Sequence, residues 1–169
     1  MEYCLDTSVF TQAFRLYYAF DIAPAFWLAI TRLAEQGVLT SPLAVYEELM
    51  PIDDELKAWA RQRRSSLFVD PDSQVNTAYR EIAEFVNSRY HDQHWIRDFL
   101  GGADPWVIAH AKPFELTVVT MEGEKKTEDA DKVSGRLIGE IKIPNVCNHL
   151  GVKFISTFEM LRVLGVKLH

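Results

Sequence analysis

Four acidic side chains, Asp6, Glu48, Asp104 and Glu122, stand where apolar segments begin or end. Asp6 closes the run Tyr3-Cys4-Leu5, and Glu122 follows two residues after Thr120, the end of Leu116-Thr117-Val118-Val119-Thr120. Asp104 precedes Pro105 at the head of a helical stretch leading into that second run. Glu48 sits on a short helical stretch after Val38-Leu39-Thr40-Ser41. Carboxylates brought close together raise one another's pKa, so keeping all of them ionised is costly without a cation beside them. A hard divalent ion such as magnesium takes oxygen ligands and keeps several waters, one of which can attack a phosphodiester. The chemistry implied is metal-assisted phosphodiester hydrolysis without a side-chain nucleophile.

Each acid taken alone also has a purely structural explanation. Asp6 before Thr7-Ser8 suits a turn, Asp104 before Pro105 suits a helix N-cap, Glu48 beside Glu47 suits a solvated helix face, and Glu122 lies in a charged loop with Glu124 close by. The functional reading rests on the four together, and Glu47 and Glu124 stay open as alternatives to their neighbours. Thr7, Ser8 and Thr120 suit capping or strand positions, and equally the orientation of carboxylates and waters. His91, His94, His110, His149 and His169 show no ligand spacing with a third partner.

The elements that must position these acids read as an alternation of short apolar strands and helices, which indicates an α/β sandwich around a mainly parallel sheet. Thr7-Ser8 is suited to cap a helix from about Val9, with Phe14, Tyr17 and Tyr18 following and Phe26, Ile30, Leu33 and Ala34 on the next helix before Gly37. Ser41-Pro42 reads as the start of the helix that carries Glu48, in cap-then-proline order, and Pro51 stops it. From Asp53 to Leu100 the chain is mostly helical and reads as an insertion around residues 53–100, with Leu67-Phe68-Val69 a short strand or connector. Gly101-Gly102 breaks it. Glu122 to Lys132 reads as a solvated loop, followed by a short helix over Asn145 to Leu150, a strand over Val152 to Ile155 and a last helix with Phe158, Leu161 and Leu164. In parallel sheets ligands gather at the carboxyl ends of strands, where these acids are expected.

A length of 169 residues with 48% hydrophobic content supports a sizeable core, so one domain over 1–169 is expected. No stretch approaches the ~20 apolar residues of a membrane span, and Met1-Glu2-Tyr3-Cys4 shows no signal-type pattern, which points to the cytoplasm. The formal net charge of −6 argues against charge-driven, non-specific nucleic-acid binding. Any such contact must be local, from Arg61, Arg63 and Arg64 near Trp59, from Lys112, or from Lys125 and Lys126, all of which also suit solvated faces. Cys4 and Cys147 read as structural thiols. The aromatics around Phe14, Tyr17, Tyr18 and Trp27 suit either a core or a dimer face.

The segments carrying the acids resemble those of the PIN-domain nucleases, which include ribonuclease toxins of toxin–antitoxin pairs. Tyr3-Cys4-Leu5-Asp6-Thr7-Ser8-Val9-Phe10 is similar to that family's first strand and leading aspartate, and Ser41-Pro42-Leu43-Ala44-Val45-Tyr46-Glu47-Glu48-Leu49 to its glutamate segment. There the acid usually precedes leucine, which favours Glu48. Gly102-Ala103-Asp104-Pro105-Trp106-Val107-Ile108-Ala109 and Thr117-Val118-Val119-Thr120-Met121-Glu122 resemble the third and fourth motifs, in the family's order. The fourth acid is commonly Asp, whereas here it is Glu122. The resemblance implies a three-layer α/β/α fold, Mg²⁺- or Mn²⁺-dependent cleavage of single-stranded RNA, frequently a homodimer, and for toxins an antitoxin partner.

Two other phosphoryl-transfer classes fit poorly. A haloacid-dehalogenase-like phosphatase needs a second Asp two residues after the first, where Ser8 stands, and a response-regulator receiver needs paired acids and a strand-end Lys in a combination not found here. The alternative from another class is a catalytically silent PIN-like module that binds RNA or a protein.

Overall fold

The apolar tripeptide Tyr3–Leu5, buried on both faces, forms the central strand β1 of a parallel sheet. The computed structural model describes residues 1–168, so His169 lies outside the described residues. Strands β2 (Leu39–Pro42), β3 (Phe68–Val69), β4 (Thr117–Val119) and β5 (Phe154–Ile155) complete the order β3-β2-β1-β4-β5, with every pairing parallel. This is the expected α/β architecture, and its sheet is wholly rather than mainly parallel. Burial of both sheet faces explains why β1 and β4 read as continuous apolar runs.

Helices α1 (Thr7–Gln12), α2 (Pro24–Glu35), α3 (Leu43–Leu49), α4 (Glu55–Gln62), α5 (Arg64–Leu67), α6 (Ser73–Arg89), α7 (Gln93–Gly101), α8 (Asp104–Ala111), α9 (Ile143–Leu150) and α10 (Thr157–Val163) flank it. Ala13–Tyr17 forms a π-helical turn after α1, where an ordinary helix was expected. The first helix also starts earlier than its sequence suggests, because Asp6 rather than Thr7 or Ser8 is its N-cap. Ser41-Pro42 leads into α3 one residue later than expected, with Pro42 rather than Ser41 as the N-cap and no side-chain cap. Both residues belong to β2, and the Ser41 hydroxyl donates to the Leu5 carbonyl at 2.8 Å, tying β2 to β1 instead of capping a helix.

Residues 53–100, read as a helical insertion, hold α4 to α7 but also supply β3, the edge strand that pairs with β2. Three aromatic rings join this segment to the N-terminal one: Phe10 lies 5.8 Å from Trp59 and 5.9 Å from Phe68, ring centre to ring centre. Trp27 meets Trp59 at 4.9 Å and Tyr18 stacks on Phe26 at 4.5 Å, so much of the aromatic group serves the interior. Leu16, Tyr17, Ile22 and Leu28 stay exposed. The charged segment after Glu122 is more anchored than a free loop, because Glu128 accepts from Tyr90 and contacts His149, and Asn145 exchanges two hydrogen bonds with the Lys125 backbone. No helix among the described residues is long and apolar enough to cross a membrane.

The strand order places the carboxylates. From β1 the chain winds one way through β2 to β3 and, after α8, the other way through β4 to β5. The gap between β1 and β4 at their carboxyl ends is therefore a topological switch point, where open parallel sheets bind ligands. Register pairs Leu5 with Val119, which sets Asp6 beside Thr120. Helix α8 packs on β1, β2 and β4 and runs back to the amino edge before β4 begins, leaving Asp104 over the same rim.

Phe10 is fully buried between the two segments. Phe10→Ala is expected to lower stability by roughly 3–5 kcal/mol in urea unfolding; a loss under about 1 kcal/mol would mean that β3 and α4 are only loosely joined to the sheet.

Candidate active site

Asp6 is buried at the end of β1, and one of its oxygens is closely held. Oδ2 accepts from the Ser8 hydroxyl at 2.6 Å, the Thr120 hydroxyl at 3.0 Å and the Ser8 amide at 3.3 Å. The two hydroxyls in turn accept from backbone: Met121 N–H donates to Ser8 Oγ at 2.9 Å and Glu122 N–H to Thr120 Oγ1 at 3.1 Å. Each hydroxyl thus transmits the geometry of the β4 end to Asp6. Oδ1 takes none of these three bonds, and the Thr7 backbone amide also lies close enough to the carboxylate to lower its pKa. Burial raises the Asp6 pKa, and the bonds from Ser8 and Thr120 oppose that rise. The second role read for Ser8 and Thr120, orienting a carboxylate, is what these contacts do.

Glu48 reaches the site from the last turn of α3. Its Oε2 accepts from the Thr7 hydroxyl at 2.5 Å and its Oε1 from the Ala103 amide at 2.8 Å, next to Asp104. Gly102 eases that approach, since a β-carbon there would lie 3.3 Å from Glu48 Oε1, a tight contact that would shift the carboxylate by a few tenths of an ångström. Both glutamates are exposed, but Glu47 makes no side-chain hydrogen bond among the described residues, whereas Glu48 bonds Thr7 and Ala103 and so is the member of the pair that faces the other acids.

Glu122 accepts through Oε2 from the amide of Ile143, the first residue of α9, at 2.9 Å. Its Oε1 lies 3.9 Å from Lys142 Nζ. Burial raises its pKa, the Ile143 bond lowers it, and Asp6 raises it further. Glu124 is exposed and held by Asn148 at 2.5 Å.

Asp104 is the least satisfied of the four. Ala103, not Asp104, is the N-cap of α8; Asp104 is the first helical residue and its carboxylate accepts no hydrogen bond among the described residues. The capping explanation therefore fails. Its pKa is pushed up to about 8, first by burial and then by the charges of Asp6, Glu122 and Glu48, with Lys142 working against them. Asp104 thus feels the charges of the other three acids. Lys142, absent from the sequence reading, is the basic residue inserted among them, and it also pairs with Glu140 at 2.7 Å. Its only sequence signal is a position just before the Ile143-Pro144 helix start.

The basic residues suggested for local nucleic-acid contact are mostly engaged within the chain. Arg63 lies over the Trp59 ring at 4.8 Å and donates to Thr31, Arg64 pairs with Asp70, Lys112 pairs with Glu81, and Lys125 Nζ donates to the Glu140 carbonyl. The thiols are inert: Cys4 and Cys147 are buried, and burial pushes the Cys147 pKa up to about 12.

A hard cation fits this donor set, which is all oxygen, like-charged and partly desolvated, with free oxygens on Asp6 and Asp104. As the side chains stand, no three potential ligands among the described residues are close enough to surround one ion.

A family model described as "Domain of unknown function (DUF4411)" matches residues 3–168. The chain belongs to the DUF4411 family. No curated protein matches it in sequence. Among solved structures, this DUF4411 member is similar to VapBC2 from Rickettsia felis bound to a DNA fragment from their promoter. The TM-score is 0.47 with 17% identity, over 72% of this chain and 89% of that one.

Because Asp104 holds its proton up to about pH 8 when folded and releases it near 3.8 by itself, the folded state binds the extra proton between those values. Stability of the cation-free protein then falls as pH rises through that window. Thermal unfolding in EDTA should show this fall; Asp104→Asn should flatten it, and Mg²⁺ should restore the melting temperature of the unmodified chain at the alkaline end. An Asp104→Asn profile parallel to that of the unmodified chain would show that Asp104 is not the strained group.

Proposed function

We propose that this protein is a metal-dependent endoribonuclease of the PIN type, hydrolysing phosphodiester bonds of single-stranded RNA. The observation that carries the reading is the convergence of Asp6, Glu48, Asp104 and Glu122, from four separate segments, at the switch point of a parallel sheet. A fold has no structural reason to gather four acids whose charges oppose one another, whereas a site for a hard cation requires it.

Asp6 and Asp104 would hold Mg²⁺ or Mn²⁺ through their free oxygens, with Glu48 and Glu122 completing the site directly or through water. A divalent ion held by these residues would supply a lowered pKa for its bound water and charge neutralisation at the phosphate. Ser8 and Thr120 fix the Asp6 carboxylate so that it does not rotate away from the rim. Thr7 and the Ala103 amide do the same for Glu48. Lys142 offsets part of the acidic charge and presents a cation where a phosphate would approach. The motif resemblance extends the proposal to a toxin held by an antitoxin, acting as a homodimer.

Purified protein should cut fluorescently labelled single-stranded RNA in Mg²⁺ or Mn²⁺ and lose the activity in EDTA and in Asp6→Asn or Asp104→Asn variants that remain folded. Ser8→Ala and Thr120→Val should retain cleavage reduced by about 10- to 100-fold, as expected for groups that orient a ligand. RNA binding without cleavage by folded protein under all these conditions would replace the enzyme with a silent binding module.

A further inference from the structure

At the opposite edge of the sheet from the carboxylates, a cavity of about 320 Å³ opens between β2, the end of α8 and the start of α6. Its size falls at the low end of small-molecule sites, roughly 300–1,000 Å³. Its buried surface carries two polar side chains with unfilled hydrogen-bonding capacity. Thr40, 3% exposed, has no partner for Oγ1, and His110, 5% exposed, has none for Nε2. Buried polar atoms of this kind are rare in folded proteins and call for an explanation.

The hydrogen-bonding sense of the cavity follows from its partners. His110 Nδ1 lies 3.1 Å from the Trp106 carbonyl, which can only accept, so we assign the ring proton to Nδ1. Burial holds the imidazole neutral by lowering its pKa, leaving Nε2 as an acceptor. With the proton so assigned, the Asp70 carbonyl near the ring is an acceptor facing an acceptor. At the mouth stand the carboxylates of Asp70 and Asp72, each with one oxygen engaged, by Arg64 at 2.9 Å and by the Val75 amide at 2.9 Å. Val75 and Leu116 supply apolar wall. Apart from the Thr40 hydroxyl, which can do either, these side-chain groups accept hydrogen bonds; the charged lining side chains are Asp70, already paired with Arg64, and Asp72, and Met1 brings the amino terminus to the lining.

We propose that this cavity is a binding site for a small organic cation with amine or amidine N–H donors and a short apolar body. Its N–H groups donate to His110 Nε2 and Thr40 Oγ1, its methylenes pack on Val75 and Leu116, and Asp70 and Asp72 balance its charge. A diamine uses every feature at once, one nitrogen at the buried end and the other at the mouth. The site is separate from the acidic cluster and does not depend on the nuclease reading.

The test is NMR titration of the full chain with 1,4-diaminobutane and n-butylammonium, against 1-butanol and butyrate as neutral and anionic counterparts. The amines should give saturable shifts at Thr40 and at His110, with the Nε2 nitrogen moving as an acceptor of a new hydrogen bond while the ring stays neutral. They should bind about tenfold or more tightly than 1-butanol, the factor that one charge-assisted hydrogen bond supports. Thr40→Val should fold with undiminished stability, since the hydroxyl it removes is unpartnered, and weaken the amines several-fold; Asp70→Asn should weaken them likewise. Asp104→Asn should leave these shifts unchanged, which separates this cavity from cation binding among the catalytic-site acids. Equal binding of 1-butanol and the amines, shifts confined to the acidic cluster, or no saturable shift at Thr40 and His110 would overturn the proposal.

Discussion

Mutual repulsion among carboxylates is the constraint around which this molecule is arranged. Asp6, Glu48, Asp104 and Glu122 would separate if their side chains were free, and each is restrained by the element that carries it or by a donor from another. Asp6 is clamped by two hydroxyls and an amide, Glu48 by Thr7 and Ala103, and Glu122 by the first amide of α9. Only Asp104 lacks such help among the described residues, and its carboxyl is pushed up to about 8, first by burial and then by the charges of the other three. Three of the acids therefore have hydrogen-bond donors that favour their charged form, and the fourth has none among the described residues.

The sheet provides the rigidity that this arrangement needs. Its strands are very short, yet β1 and β2 are buried on both faces, and cross-ties such as Ser41 to Leu5 and Asp6 N–H to the Val119 carbonyl fix their carboxyl ends. Because the hydroxyls on Asp6 themselves accept from the backbone of Met121 and Glu122, the end of β4 and the end of β1 form one hydrogen-bonded unit. Groups positioned by rigid strands keep their geometry better than groups on loops, which suits a site whose members repel. The same sheet carries a second polar feature at its other edge, where Thr40 and His110 face a cavity with unfilled hydrogen-bonding capacity.

Much of this was legible along the chain. The acids sit at strand ends and a helix start, and apolar runs such as Leu116 to Thr120 name their strands directly, because a strand buried on both faces has no polar alternation. Less legible were features decided by competition between local and distant partners. Ser41-Pro42 has the form of a helix start, but the Leu5 carbonyl captures the Ser41 hydroxyl and the pair joins β2. Phe68-Val69 is too short to declare itself a strand, and becomes one because Ser41 and Pro42 are there to pair with it. Arg63, Arg64, Lys112 and Lys125 offered cations to a nucleic acid in sequence, but in space they satisfy rings, carboxylates and carbonyls of their own chain.

The sequence by itself determined the class of fold, the positions of the four acids and, through periodicity, most of the helices, since these depend on side-chain type and on neighbours a few residues away. Tertiary contacts were needed to show that Asp104 is not a cap and that Lys142 enters the cluster, and they bring Glu48, which its motif already favoured, to the Ala103 amide. Each of these turns on contacts between residues far apart in the chain, across Gly102 or from the start of α9, and a one-residue difference on a helix turns a side chain through about 100°. Local pattern carries no record of which long-range partner will be present when that turn is made.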